Sequence, residues 1–227
     1  MNCNAPEHQT TCRILRITYA TALAMAITVA LPQSAHTDNV TPPPVPSNIQ
    51  VPAGSKAFLV GHAVGTQDYI CLPCPNPSTS ICPNTSGFAW TLFGPQATLF
   101  NDNTKQIITH FLSPNPDEEG MPRATWQHSN DTSAVWARAI ASSSDPDFVE
   151  DGAIPWLLLE VVGDQQGPTG GTRLTRTAFI QRLNTLGGTA PPNGCSASTD
   201  IGMRALVPYE ADYFFYKSIR HNDGERD

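Results

Sequence analysis

Tyr209-Glu210-Ala211-Asp212-Tyr213-Phe214-Phe215-Tyr216 is the stretch whose reading decides the fold. In an extended chain, successive side chains point to opposite faces. Tyr209, Ala211, Tyr213 and Phe215 then share one face, and Glu210, Asp212, Phe214 and Tyr216 share the other. Both faces carry aromatic rings, so this strand is central in a sandwich or barrel, with protein packed on each side. Leu157-Leu158-Leu159 reads the same way, because the run is too short for a buried helix.

Working outward from there, period-two alternation and β-branched or aromatic residues dominate after residue 55. Strands are expected near Lys56–Val60, Gln67–Leu72, Phe88–Phe93, Ala97–Phe100, Gln106–Leu112, Ala134–Ile140, Trp156–Val162, Thr175–Leu183, Arg204–Val207 and Glu210–Lys217. Turn formers separate them, among them Gly94-Pro95, Asn101-Asp102-Asn103, Gly163-Asp164 and Gly187-Gly188. No segment sustains a helical period, and no internal repeat is present. The pattern predicts an all-β fold: a single antiparallel sandwich or closed barrel of about ten strands over residues 55–220. Residues 221–227 read as a disordered tail.

The N-terminus has a different character. Arg13 and Arg16 precede an uncharged run from Ile17 to Leu31, which Pro32 ends and the small residues Ser34 and Ala35 follow. A basic start, a short apolar stretch and a small-residue exit describe a secretory signal over residues 1–35. The run is shorter than the ~20 residues of a membrane span, so no membrane insertion is expected once the leader is cut. Residues 36–54, rich in Pro42-Pro43-Pro44 and Pro46, read as an extended, poorly packed tether or N-terminal arm. The expected location is secreted or periplasmic.

Charge removes one class of partner. The chain carries a net charge of −7, and residues 1–35 hold Arg13 and Arg16 against Glu7, so the remainder is more acidic still. An acidic domain without Lys or Arg runs has no footprint for a phosphate backbone. No nucleic-acid partner is expected.

Export would leave four cysteines, Cys71, Cys74, Cys82 and Cys195. An even count in an oxidising compartment implies disulfides. Of the three pairings, Cys71–Cys195 with Cys74–Cys82 is favoured, the second closing a short Pro-rich loop. Cys71-x-x-Cys74 has zinc-ligand spacing, but its partner pair would be Cys82 and a very distant Cys195. Pro75 and Pro77 also argue against the helix that a redox Cys-x-x-Cys opens.

Several strings occur in a fixed order. Gly65-Thr66-Gln67-Asp68-Tyr69-Ile70-Cys71 comes first, then Trp90-x-x-x-Gly94-Pro95-x-Ala97-x-Leu99-Phe100, His110-Phe111 and Thr125-Trp126. Ile154-Pro155-Trp156-Leu157-Leu158-Leu159, Ile180-Gln181-Arg182-x-x-Thr185-x-Gly187-Gly188, Gly194-Cys195 and Val207-Pro208-Tyr209 through Tyr216 complete the series. Together, over roughly residues 45–217, they resemble a family of exported bacterial and fungal proteins catalogued as a domain of unknown function, number 3455. The resemblance implies an extracytoplasmic β domain and supports pairing Cys71 with Cys195. It departs at Leu112–Ala124, a Pro-rich and acidic insertion between the His-aromatic pair and Thr125-Trp126, and at Cys74 and Cys82.

Fungal members of that family often carry the label malate dehydrogenase, which the residues here do not support. A nicotinamide dehydrogenase needs Gly-x-Gly-x-x-Gly between a strand and a helix. Gly61-His62-Ala63-Val64-Gly65 lacks that spacing and runs from strand to strand. No cofactor is expected.

The polar residues within the matched strings are the candidate ligand-binding set: Gln67, Tyr69, His110, Trp126, Gln181 and Arg182, with Asp212, and with His128 just after Trp126. An amide, a guanidinium, an imidazole and aromatic faces suit a small polar or glycan ligand. The alternative for Gln181, Arg182 and Asp212 is that they satisfy each other and buried backbone groups. His62, His110 and His128, with Asp131 orienting one ring, are the imidazoles a metal would use, but no pair has close ligand spacing. No Gly-x-Ser-x-Gly elbow is present, and Asp117-Glu118-Glu119 reads as a solvated cluster. The leading expectation is a non-enzymatic exported domain that binds a small polar or glycan ligand or a cell-surface partner. An extracytoplasmic enzyme, metal-assisted or hydrolytic, around His110 and His128 is the second, and a structural envelope protein the third.

Overall fold

The computed structural model describes residues 40–74 and 87–219. The expected leader, Cys82 with its proposed bond to Cys74, and the tail 221–227 lie outside the described residues. Eight strands follow one another: β1 (Ser55–Pro73), β2 (Phe88–Phe100), β3 (Gln106–Asn115), β4 (Met121–His128), β5 (Ala134–Ser143), β6 (Trp156–Gln165), β7 (Phe179–Gly187) and β8 (Arg204–Ser218). Each pairs antiparallel with the next, and β8 returns to β1 to close the barrel. That seam is long, running from Ser55 opposite Ser218 to Ile70 opposite Arg204.

The all-β expectation holds, with eight strands in place of about ten. Three pairs of expected strands are each one element, because Gly61–Thr66, Gly94-Pro95 and Pro208 lie inside β1, β2 and β8. One strand went unread, since Pro122 and the acidic Pro-rich insertion mask the start of β4. β7 also starts later than expected, at Phe179.

Alternation sorts the core into two parts. Tyr209, Ala211, Tyr213 and Phe215 point into the barrel, where they meet Leu99, Ile108, Trp126, Val135, Leu159 and Ile180. Phe214 and Tyr216 point outward and are buried all the same, against Trp156, Leu158, Leu183 and Val149. The residues that cover this outer cluster include Val40, Val45, Ile49 and Val51. Residues 40–51 are thus a packed arm rather than a loose tether, with Ile49 fully buried. The apolar residues between the prolines, rather than the prolines, decide that outcome, because each buried branched side chain contributes about 1.5–3 kcal/mol.

A disulfide joins Cys71 of β1 to Cys195, in the connection between β7 and β8. Around it, Cys71 N–H donates to Met203 O and Gly202 N–H to Cys71 O, each at 2.9 Å. Trp90 Nε1 donates to Asn193 O at 2.9 Å. The connection is therefore a strap bound to β1 and β2. Among the described residues, no helix is long and apolar enough to cross a membrane.

Candidate functional site

Four of the residues singled out from the sequence meet inside the barrel. Gln67 (β1), His110 (β3), Trp126 (β4) and Arg182 (β7) line a cavity of about 160 Å³ together with Tyr213 (β8). Its walls are otherwise apolar: Leu92 and Pro95 on one side, Ala124, Ala137, Ala139, Leu157 and Leu159 on the other. His110 and Trp126 face each other across the β3–β4 ladder, and their rings stack at 4.2 Å with 13° between planes. Tyr213 meets Trp126 edge-on at 5.5 Å. These rings form the floor. Leu92 and Ala139 are exposed and form the rim.

The open end has a local cause. The β2–β3 ladder stops at Ala97 opposite His110, and the β4–β5 ladder stops at Ala124 opposite Ala137. β3 and β4 continue together to Asn115 opposite Met121. This hairpin is tied to the outside of the wall: Trp136 Nε1 donates to Ser113 Oγ at 2.9 Å, and Asn115 Nδ2 to Val162 O at 3.2 Å. The cluster read as solvated is partly engaged. Glu118 pairs with Arg123 at 2.7 Å, which with Asn115 holds its carboxyl down at about 2. Because the hairpin leans away, a gap opens between β2 and β3. A groove of about 550 Å³ runs along it, and Pro95 and His110 line both groove and cavity.

The polar groups of the cavity are unequally served. Gln67 Nε2 and Trp126 Nε1 are buried donors with no hydrogen-bond partner among the described residues. Trp156 Nε1 is a third such donor, but it sits in the outer cluster. His110 Nδ1 lies 2.8 Å from Thr125 O, so that nitrogen carries the hydrogen. Full burial pulls the imidazole pKa down to about 3, against the Thr125 bond, and Arg182 adds to the fall. The ring is neutral. Arg182 donates from Nε and Nη2 to Pro155 O, at 3.2 and 2.7 Å. Among the described residues no carboxylate forms an ion pair with it. The hydroxyls around it are also neutral, since burial raises the pKa of Tyr69, Tyr209 and Tyr213.

The remaining candidates lie elsewhere. Tyr69 shares the inward face with Gln67, and its hydroxyl donates to Gly188 O at 2.8 Å, which pins the start of the strap. Gln181 points the opposite way from Arg182: its Nε2 donates to Ile49 O at 2.7 Å, and Tyr216 OH donates to its Oε1. It holds the arm. His128 lies 3.0 Å from Asp131, and Asp131 in turn accepts from Ser133 Oγ and the Arg173 amide. That group knots the β4–β5 turn to residues 171–174, away from the cavity. His62 is on the outer face, its Nδ1 2.6 Å from Asp212 and its Nε2 2.9 Å from Asp102. Burial alone would lower its pKa, but the two carboxylates outweigh burial and raise it. The three imidazoles thus occupy three separate places, and among the described residues no group of three or more His, Cys, Asp or Glu is arranged to hold a metal ion.

Sequence reasoning passed over Tyr213 and the alanines. The signal for the alanines was present in Ala137-Arg138-Ala139, where small residues recur on the inward face of β5. An inward position without a large side chain is where an eight-stranded barrel has room.

Residues 52–217 match the family model of the protein of unknown function DUF3455. The chain belongs to that family. No curated protein and no solved structure matches it significantly. The DUF3455 match takes in all eight strands apart from the last residue of β8, and every residue lining the cavity.

Proposed function

We propose that this DUF3455 domain is an exported binding protein that takes one small organic molecule into the open end of its barrel. The observation that carries the reading is the pair of unpartnered buried donors, Gln67 Nε2 and Trp126 Nε1, lining one cavity. A buried donor without a partner costs about 1–3 kcal/mol, and a ligand acceptor would recover that. Eight-stranded barrels are wide enough to hold one small ligand. Few polar groups among apolar walls suit a compact molecule better than a glycan, whose hydroxyls would meet Leu92, Pro95 and Leu157. The lining has no Ser, Thr, Cys, Lys, Asp or Glu side chain, and its polar groups, Gln67, His110, Trp126, Arg182 and Tyr213, are ones that can hold a molecule. Export is supported by the leader-like residues 1–35 and by the Cys71–Cys195 bond.

Thermal melting against a panel of small aromatic and short-chain aliphatic compounds tests the reading. A ligand at one hundred times its Kd adds about 2.7 kcal/mol to stability, which a melting curve resolves. Ala137 is buried in the cavity wall, and Ala137→Leu fills that space. The expected result is that at least one compound raises the Tm of the wild type and leaves folded A137L unmoved. A silent panel, or shifts that persist in A137L, would overturn it.

A further inference from the structure

Resting on the binding reading, we infer that the molecule is a compact monocarboxylate, its anionic end drawn to Arg182 and its apolar body held between the ring floor and the aliphatic walls. Three observations converge. Arg182 faces the cavity and has no carboxylate partner among the described residues. Its guanidinium is fixed by Pro155 O, a neutral acceptor that orients the fork without cancelling its charge. A guanidinium has five N–H donors arranged to match a carboxylate, and two of its nitrogens are committed to that one carbonyl. The other unsatisfied groups, Gln67 Nε2 and Trp126 Nε1, are also donors. The cavity thus offers one positive charge and two spare N–H groups. A cationic ligand would repel Arg182, and a neutral apolar one would leave its charge without a counterion and both N–H groups unanswered, since among the described residues Arg182 bonds only the neutral Pro155 O and Tyr213 hydroxyl. The volume of about 160 Å³ is room for about five waters at ~30 Å³ each. A body of about the size of benzoate suits that space.

The test pairs acids with their neutral amides on the wild-type protein, so that it does not depend on a variant folding. Benzoate, phenylacetate and hexanoate are each titrated by calorimetry against benzamide, phenylacetamide and hexanamide. At least one acid is expected to bind ten-fold or more tightly than its amide. In Arg182→Gln that preference should fall below three-fold, with Arg182→Lys intermediate because the charge survives and the fork does not. If an amide equals or exceeds its acid throughout, or if the preference survives in folded R182Q, the carboxylate assignment is wrong while binding in the barrel stands. If neither acids nor amides bind and the broader panel is also silent, both readings fail.

Discussion

Gln67 and Gln181 are the same residue type at two buried sites, and their partners assign them opposite roles. Gln181 is satisfied at both ends, by Ile49 O and Tyr216 OH, while Gln67 leaves its amide nitrogen unused beside the cavity. Gln181→Ala strands a carbonyl and a hydroxyl and should lower stability by about 1–3 kcal/mol, with ligand affinity unchanged within two-fold. Gln67→Ala should do the reverse, costing little stability and most of the affinity. Chemical denaturation and calorimetry on the two variants would check this, and interchanged outcomes would refute it. His110 gives a further prediction through pH. Its folded pKa of about 3 lies below the ordinary 6.5. Above pH 6.5 the ring is neutral in both states and contributes no pH dependence. Below it the unfolded chain takes a proton that the barrel refuses, so stability falls by up to about 1.4 kcal/mol per pH unit. His110→Gln should show a shallower acid limb than the wild type between pH 6 and 4. Parallel limbs in the two proteins would count against a neutral buried ring. His62 has the opposite sign. Its raised pKa adds stability below pH 6.5 that is lost as pH rises through the folded value, so the variant comparison is needed to isolate His110.

Among the elements, proline explains which strands could be read and which could not. Pro95, Pro114, Pro122 and Pro208 all lie inside strands, where each removes a ladder donor and so reads as a break. Each sits where its strand has one neighbour. Pro95 pairs only toward β1, beyond the end of the β2–β3 ladder. Pro114 and Pro122 face each other in the free part of the β3–β4 hairpin. Pro208 pairs with Thr66 just past the end of the β7–β8 ladder. The turn read at Gly94-Pro95 is therefore a half-edge of the barrel, whereas the one read at Asn101-Asp102-Asn103 does connect β2 to β3. β8 was legible because both of its faces are buried and alternation alone places every side chain. The cavity's polar residues were legible as candidates, but not which of two polar neighbours points inward, because that depends on the register. Gln181 and Arg182 are adjacent polar residues, and the register sends the first to the arm and the second to the cavity. The arm was misread for a related reason: its prolines hide the spacing of Val45, Ile49 and Val51. Ile49→Ala should cost about 2–5 kcal/mol, read as a lower denaturant midpoint, and a loss below 0.5 kcal/mol would mean that the arm is only laid on the barrel.

For the molecule as a whole, the barrel closes by joining its first strand to its last, which are far apart in sequence. The disulfide ties the same two regions, linking Cys71 to Cys195 across a separation of 124 residues. A crosslink that closes so long a loop removes much of the freedom of the unfolded chain, and typical contributions are about 2–4 kcal/mol. It also binds the strap beside Tyr69 and Gln67, so fold closure and the cavity wall share one covalent bond. Stability should then depend on the compartment in which the chain folds. The full chain, leader included, should be recovered outside the cytoplasm with its first residues removed and this bond formed. A version starting at residue 36 and held in a reducing cytoplasm should contain Cys71 and Cys195 as thiols and unfold about 2–4 kcal/mol more easily, as Cys71→Ala/Cys195→Ala should in either compartment. Mass spectrometry of the N-terminal peptide and of the Cys71–Cys195 crosslink, with denaturation of all three proteins, gives the comparison. Equal stability with and without the bond would place the work of closure wholly on the β1–β8 seam. An intact leader on protein with reduced thiols would place the domain in the cytoplasm.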